Sequence, residues 1–394
     1  MKRFIVETAT VLFGLLSAWT SAAVADGPVV VRIGFAAPLT GPSAVDGKEM
    51  ENSALLAIED ANRRFPKLDE RSIQFELVPL DDQGDPRIAS QVAQRFADMS
   101  VAGVVGHFNS SCSIAASDVY EASSIAEVSP SSTSAAYTLR GYRSTFRVVG
   151  QDAVAGAVLA QYIVMTLHAQ RVAIIDDRSA FGQGLADRVN DVIVQMNRRV
   201  VAREYVSDNT IDFSAVLTKI RSENPDVIVF GGFDAQAAQL VRRMRSLGMK
   251  STLVGEGFNN DIFLKLARGD GEGTVTIQPG LPVEKLPAKD FSSRYKGRFK
   301  ETLEGFQGPY AYDAATVIVQ AVLESRSAMS ADVLAGVRKI DIEGATGPLA
   351  FDKNGDLASA PYTVYRLEND RWKGIKVLAG DQRAIGEPSV SDPQ

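Results

Sequence analysis

The stretch VAGVVGHFNSSCS, residues 101–113, decides the fold class because a short apolar strand leads through a turn into small, helix-starting residues. The same order recurs around it. VVVRIGFAA and IQFELVPL have the composition of buried strands, and KEMENSALLAIEDANRRF and DPRIASQVAQRFADM follow them with helical spacing of apolar residues. Strands alternating with helices of about 10–15 residues predict a parallel sheet with helices on both faces.

Two helical segments before this stretch show which residues face the core. Asp85 is expected to cap the second helix, and Pro86 suits its first position because proline lacks the N–H that would be unpaired there. The predicted buried stripe of the first helix is Met50, Ala54, Leu55, Ile58 and Ala61. That of the second helix is Ile88, Val92, Phe96 and Met99.

The alternation restarts after about residue 150, with strands RVAIIDD, EYVS and DVIVFGG, and predicts a second α/β lobe. A chain of 394 residues also exceeds the ~100–200 residues of one ordinary core. The last section has two helices and then strands around a predicted hairpin turn at Asn354-Gly355, and it is expected to complete both lobes. The predicted N-terminal lobe is 28–149 plus 280–350, and the C-terminal lobe is 150–279 plus 351–385.

Residues 1–25 are predicted to be a signal peptide cleaved near Ala25. Lys2 and Arg3 precede the apolar stretch VLFGLLSAW, and AVA at 23–25 has the small residues that a signal peptidase requires. The apolar stretch is shorter than the ~20 residues that span a bilayer. The mature chain is therefore expected outside the cytoplasm, with an uncleaved anchor as the alternative.

Composition argues against several functions. A net charge of −6 does not favour nucleic-acid binding, which needs a clustered basic face. The single cysteine, Cys112, cannot form a disulfide within the chain, and two histidines with one cysteine give no metal-ligand spacing. No glycine motif for a dinucleotide or phosphate is present, so neither metal nor cofactor is expected.

A Cys/His nucleophile is the enzyme hypothesis for this turn. It requires a thiol whose pKa is lowered by an adjacent base. His107 should lie at the end of the strand, whereas Cys112 should lie about one turn into the helix. We therefore expect Cys112 to pack in the core and His107 to make a structural contact, and a hydrolase remains the weaker alternative.

A ligand-binding hypothesis accounts for more of the residues in this turn. Free N–H groups at the start of the helix would point outward at the carboxyl edge of the sheet, where they can receive a carboxylate. Ser110 and Ser113 can add hydroxyl donors; the alternative is that at least one of the three serines at 110, 111 and 113 serves only as a helix cap. SPSSTSAAYT at 129–138 also follows an apolar strand and should form the second half of a polar cradle.

Three loops of the second lobe follow strands and could face this cradle: DDRSAFGQG (176–184), FGGFDAQ (230–236) and GEGFNND (255–261). Phe181 and Phe233 are either core residues or walls of a pocket. Glu256, flanked by two glycines, can approach a ligand ammonium closely, or it is a solvated turn residue.

In this order the segments resemble the periplasmic leucine/isoleucine/valine-binding proteins of ABC importers, which are two-lobed type I solute receptors. The resemblance covers nearly the whole mature chain. It rests on IGFAAPLTGPSAVDGKE, LDDQGDP, VVGHFNSSCSIAASDVYE, SPSSTSAAYTLRGY, FRVVGQD, FGQGLA, FGGFDAQAAQLVRRMRSLG, VGEGFNN and GATGPLAFDKNGDL. It implies a two-lobed fold with the ligand in the cleft between the lobes.

The resemblance also implies a binding site. Ser110, with Ser131 and Thr133 of the second loop, would hold the α-carboxylate of an amino acid, and Glu256 would meet its α-ammonium. Aromatic residues that close over the ligand fall at Phe181 and Phe233, where relatives carry tyrosine. The complete predicted ligand-binding set is Asp46, Phe108, Ser110, Ser131, Thr133, Phe181, Phe233 and Glu256.

Two departures from the family pattern bear on specificity and stability. The relatives' disulfide joins positions that correspond to Gly84 and Asn109, so it is absent here. Asp46 falls at, or next to, an aromatic residue of the family's side-chain pocket. An acid there suits a polar or cationic side chain better than an isobutyl group, because an unpaired buried carboxylate is costly.

The sequence thus predicts a periplasmic protein, expected as a monomer, that captures a small α-amino acid by closing its lobes and delivers it to the permease of an ABC importer. The expected ligand is a branched-chain or aliphatic amino acid, or a polar relative of one. It is not predicted to be an enzyme. The alternative is an amide or amino-acid sensor of the same fold.

Overall fold

The first sheet is formed by the N-terminal part of the chain. The computed structural model describes residues 27–303 and 305–378, so the predicted signal peptide lies outside the described residues. The strands of this sheet are β1 (Val29–Ala37), β2 (Lys67–Leu68), β3 (Arg71–Asp81), β4 (Val104–Gly106), β5 (Glu127–Ser129) and β6 (Thr145–Arg147). Their order is β2-β3-β1-β4-β5-β6, parallel except for the β2–β3 pair.

Helices cover both faces of this sheet, as predicted. They are α1 (Ala44–Asn62), α2 (Pro86–Asp98), α3 (Ser110–Ala122) and the short α4 (Ala135–Thr138). Asp85 caps α2 by accepting a hydrogen bond from the N–H of Arg87, and Pro86 is the first helical residue. The stripe predicted for α2 is wrong at Met99, which is exposed because the helix ends at Asp98, before the repeat would bury it.

The second sheet begins after α5 (Asp152–Met165), and its first five strands are parallel. These strands are β7 (Arg171–Asp176), β8 (Arg199–Tyr205), β9 (Val227–Gly231), β10 (Thr252–Glu256) and β11 (Val275–Pro279). The helices between them are α6 (Ala180–Gln195), α7 (Ser214–Arg221), α8 (Asp234–Ser246) and α9 (Asp261–Ala267). This is the predicted second α/β unit.

The last section contributes to both sheets. After a short 3₁₀ helix at Val283–Lys285 come α10 (Phe291–Phe299), α11 (Gln307–Ser325), α12 (Ser330–Val337), β12 (Asp341–Glu343), β13 (Pro348–Ala350), β14 (Tyr362–Glu368) and β15 (Arg371–Leu378). Helix α11 packs in the core of the first sheet, whereas β14 and β15 extend the second sheet, whose order is β15-β14-β11-β10-β9-β7-β8. The strands β12 and β13 form a separate hairpin.

The lobe boundaries predicted above remain our proposal, and the distribution of the core agrees with them except near residue 351. Phe351 and Leu357, placed in the second lobe by the prediction, pack on the core of the first sheet. The predicted turn at Asn354-Gly355 is present. It connects Phe351 to Leu357, which pair with each other through one isolated antiparallel bridge. Among the described residues, no helix is both long and apolar enough to cross a membrane.

Candidate functional site

A cleft lies where loops at the carboxyl edges of the two sheets meet. It has an empty volume of about 570 Å³. All eight residues predicted to bind the ligand line it: Asp46, Phe108, Ser110, Ser131, Thr133, Phe181, Phe233 and Glu256. The other lining residues among the described ones are Asn109, Gly232, Asp234, Gly257, Asn260, Phe306 and Gln307.

One wall of the cleft is the turn from β4 into α3. Gly106 closes β4 with a φ of +152°, and a Cβ there would lie 2.6 Å from the carbonyl oxygen of Ala36, so only glycine fits. Helix α3 then starts at Ser110 with Asn109 as its N-cap. The N–H groups of its first turn have no helical carbonyl to pair with, and this end of the helix favours a negative charge.

The second loop of this wall, residues 130–134, is held against the first by hydroxyl groups. The N–H of Ser134 donates to Oγ of Ser110 at 3.2 Å. Ser129 accepts from the N–H of Ser132 at 2.8 Å and donates to the carbonyl of His107 at 2.9 Å. The two polar edges therefore lie side by side as predicted, with Ser110 and Thr133 both buried.

A buried ion pair supports this second loop from behind. Arg147 on β6 donates through Nε to Oδ1 of Asp356 at 2.6 Å, and both side chains are almost fully buried. The remaining guanidinium nitrogens donate to the carbonyls of Ser132 and Ser134 at 2.6 and 2.8 Å. The loop that carries Ser131 and Thr133 is thus tied to a segment more than 200 residues away.

The opposite wall presents a buried carboxylate at the end of β10. Glu256 is 4% exposed, and its Oε2 has no hydrogen-bond partner among the described residues. Burial raises the pKa of Glu256 well above its usual range, and the nearby carboxylate of Asp152 raises it further. A ligand ammonium would supply the missing partner for this group.

Asp152, the first residue of α5, is a second buried acid close to Glu256. Burial raises the pKa of Asp152 to about 7, against lowering contributions from the Thr133 hydroxyl and the Arg147 guanidinium. Its N–H donates to the carbonyl of Thr133 at 2.8 Å. Asp152 therefore links the wall that carries Ser110 and Thr133 to Glu256 on the opposite wall.

Aromatic rings line the middle of the cleft. Phe108 of the first wall stacks against Phe233 of the second, with ring centroids 6.2 Å apart. Phe181 contacts Phe233 at 5.6 Å. Both Phe181 and Phe233 are partly buried: each lines the cleft and also packs against a hydrophobic core.

Polar groups occupy the remaining part of the lining. Asp234, in the first turn of α8, accepts hydrogen bonds from Nδ2 of Asn260 and from the N–H of Ala235. Burial raises the pKa of Asp234. Oδ1 of Asp46 on α1 and Oε1 of Gln307 at the start of α11 both lie near Gly305, and Oε1 of Gln307 accepts a hydrogen bond from the N–H of Phe306 at 3.1 Å.

The geometry contradicts the Cys/His nucleophile. His107 is buried, with Nδ1 2.7 Å from Asp82 and Nε2 3.1 Å from the hydroxyl of Tyr120, so both ring nitrogens have structural partners. Cys112, on α3, is packed in the core against α2, and burial raises the pKa of its thiol, opposite to what a nucleophile needs. Among the described residues, no group of three or more potential ligands could hold a metal ion.

The positions of the relatives' disulfide lie close together here. A Cβ on Gly84 would be 3.2 Å from Oδ1 of Asn109. Cys112 is a separate, free and buried cysteine.

Sequence reasoning missed Phe306 and Gln307 as lining residues. They precede and begin α11, a helix whose body belongs to the core of the first lobe. Asp234 and Asn260 lie in the loops 230–236 and 255–261, which the sequence analysis selected, but neither residue was predicted to bind the ligand. The sequence pattern could have predicted them as lining residues, because both lie at the start of a helix directly after a strand that ends at the cleft.

Fold and site together define a two-lobed protein that holds a small molecule between α/β lobes. Residues 30–371 match the family model described as periplasmic binding protein. The leucine-specific-binding protein of Salmonella typhimurium is 30% identical over 375 residues, covering 94% of this chain and 98% of that relative. The leucine-, isoleucine-, valine-, threonine- and alanine-binding protein of Pseudomonas aeruginosa is 30% identical over 341 residues, covering 86% of this chain and 90% of that relative.

The solved structure of a leucine-binding protein from Thermotoga maritima matches the fold with a TM-score of 0.82 at 24% identity, covering 90% of this chain and 99% of that chain. The chain therefore belongs to the periplasmic binding protein family. This confirms the predicted family and fold. It also confirms that the protein is not an enzyme, because the family consists of binding proteins.

Proposed function

We propose that this protein binds a free α-amino acid in the cleft and delivers it to an ABC importer. The observation that carries the proposal is the pairing of opposite walls. A helix N-terminus with Ser110 and Thr133 suits a carboxylate. Glu256, whose Oε2 has no hydrogen-bond partner among the described residues, lines the same space and suits an ammonium. An α-amino acid carries these two groups on one carbon.

Contacts across the cleft support capture by lobe closure. The N–H at the start of α6, on Ala180, donates to Oγ of Ser111 on α3 at 3.2 Å, and the Phe108 and Phe233 rings stack between the lobes. These contacts join the loops of one sheet to those of the other. A ligand that touches both walls would stabilise this arrangement over an open one.

The remaining parts of the proposal rest on the family and on the N-terminal pattern. Membership supports a periplasmic location and an ABC permease as partner, and the pattern of residues 1–25 supports export by a cleavable signal peptide. We also propose that the chain works as a monomer, since its two walls come from one chain.

The direct test is mass spectrometry of small molecules that co-purify with the protein, followed by thermal unfolding of stripped protein with each natural amino acid. We expect at least one amino acid to raise the unfolding temperature in a concentration-dependent manner, because it binds only the folded state. No shift with any amino acid would contradict the proposal.

The role of Glu256 is tested by Glu256→Gln. The variant should lose about 2–5 kcal/mol of binding free energy for the amino acid found in the panel, because the ligand ammonium is then buried without a charge partner. Titration calorimetry gives this difference. Asp98→Asn, an exposed acid at the end of α2, is the control, and unchanged affinity of the Glu256 variant would refute the assignment.

A further inference from the structure

Asp152 is a buried acid to which the proposed function gives no role. It is 1% exposed and begins α5, directly after the segment 148–151 that leads out of β6. This segment crosses between the lobes, because Val149 packs in the core of the first sheet and Val154 packs in a core of the second. Asp152 therefore lies at a junction between the two lobes.

Glu256 is the acid that faces Asp152 from the second lobe. Among the described residues, Oε2 of Glu256 has no hydrogen-bond partner. The oxygens of Asp152 likewise accept no well-formed hydrogen bond there, although the Thr133 hydroxyl lies near. Two interacting buried carboxyl groups with so few donors cannot both ionise without a large cost, so the pair retains a proton when the cleft is empty.

The cations around this pair have other partners. Arg147 on β6 donates to Asp356 at 2.6 Å, and its remaining nitrogens donate to the neighbouring loop. Arg188 on α6 donates through Nε to the carbonyl of Ala153 at 3.1 Å. In the part of the chain that the structure describes, neither arginine forms an ion pair with Asp152, so no cation of the protein replaces the proton.

The hydroxyl of Tyr362, on β14, is the titratable group that faces both acids from the last section of the chain. It donates to the carbonyl of Gln151 at 3.0 Å, so it does not donate to either acid. Burial, and then the charges of Glu256 and Asp152, raise the pKa of Tyr362 well above its usual range. Tyr362 therefore stays neutral, and it confirms that the two acids share one environment.

The acidity of the pair agrees with this arrangement. Burial raises the pKa of Asp152 to about 7, and burial together with the charge of Asp152 raises the pKa of Glu256. The other acids of the described lining, Asp46 and Asp234, belong to α1 and α8 and not to this junction. A ligand ammonium at Glu256 favours the ionised carboxylate, because an opposite charge lowers the pKa of an acid.

Resting on the proposed function, we propose that Asp152 is a positioning residue whose buried carboxyl group keeps a proton on Glu256 in the empty cleft, and that the entering ligand ammonium displaces this proton to solvent. The O–H bond of the Glu256 carboxyl breaks, and the buffer takes the proton. One positive charge replaces another beside the two acids, so the charge of the junction is unchanged. Amino-acid binding is consequently weaker at acid pH.

The first test is titration calorimetry of stripped wild-type protein with an amino acid that binds in the thermal panel, at pH 6, 7 and 7.5. Phosphate and Bis-Tris buffers differ in ionisation enthalpy, so the difference between their heats gives the number of protons released per ligand. We expect release that approaches one proton, and an affinity that rises by up to about tenfold per pH unit. Binding without proton release at all three pH values would overturn the inference and leave the proposed function standing. Binding of none of the natural amino acids would overturn both.

Asp152→Asn tests the part of Asp152 separately, because it removes the neighbouring charge and keeps the shape. Glu256 should then ionise at a lower pH, so fewer protons should be released at pH 7.5 and the affinity should level off at a lower pH than in the wild type. Asp98→Asn, which changes an exposed acid, should keep the wild-type pH profile. An Asp152→Asn protein that folds, as judged by its unfolding temperature, and keeps the wild-type pH profile would overturn the role of Asp152.

Discussion

Asp152 illustrates how one buried acid links binding to stability. It begins α5, packs behind Thr133 and lies near Glu256, and burial raises its pKa to about 7. An acid whose pKa is higher in the folded than in the unfolded chain stabilises the fold at low pH. This contribution is lost as the pH rises from about 4 to about 7, because the unfolded chain then releases a proton that the folded chain retains.

We therefore predict that Asp152→Asn is more stable than the wild type at pH 8, by up to about 4 kcal/mol, since a neutral amide does not have to ionise in the core. The difference should shrink towards pH 4, where the acid is protonated in the folded chain and about half protonated in the unfolded chain. Urea unfolding of both proteins at pH 4.5 and pH 8 measures it. The same difference at both pH values would show that Asp152 does not titrate in this range.

At the scale of elements, α3 separates a structural face from a binding face. Its first turn lines the cleft through Ser110, whereas Cys112, Ala116 and Tyr120 pack with α2 in the core. On this buried side, the ring of His107 contacts the hydroxyl of Tyr120 through Nε2 and the carboxylate of Asp82 through Nδ1. A substitution can therefore change the packing of α3 without changing the ligand's contacts.

Cys112→Ala tests this separation. Removing the buried thiol, which leaves a methyl side chain, should lower the free energy of unfolding by about 1 kcal/mol, because it leaves a small cavity. Ligand affinity should stay within about twofold, because no ligand contact is removed. Chemical unfolding and calorimetry measure the two quantities, and a large loss of affinity would mean that Cys112 belongs to the site.

At the scale of the whole molecule, the pair of Arg147 and Asp356 joins distant parts of the chain. It connects the loop that carries Ser131 and Thr133 to the segment around Asp356, after which the chain enters the second sheet as β14. The pair is buried, so salt should screen it little. Both the stability of the fold and the position of the loop depend on it.

We predict that Asp356→Asn lowers the free energy of unfolding by about 3–5 kcal/mol and weakens ligand binding, because it leaves the buried guanidinium without a counter-charge. The double variant Arg147→Met with Asp356→Leu should recover part of the stability, since it removes both charges. Urea unfolding of the three proteins is the measurement. A loss below about 1 kcal/mol in the single variant would show that the pair contributes little.

Much of the fold could be predicted because it depends on local patterns. The span of β1, the cap at Asp85 and the start of α3 follow from hydrophobic period and capping chemistry. The prediction that Met99 is buried was wrong, because the apolar repeat in the sequence continues past the end of α2. The eight lining residues could be chosen because loops after parallel strands meet at one edge and because their segments resemble a known family.

The sequence by itself thus determined the alternation of strands and helices, the family, and which loops reach the cleft, because each depends on residues that are neighbours in the chain. Only the tertiary structure decided that Asp152 lies beside Glu256, that Arg147 pairs with Asp356, and that Phe306 and Gln307 close the cleft. The first two of these contacts join residues more than 100 positions apart. They depend on how the packed lobes are oriented, and no local pattern encodes that orientation.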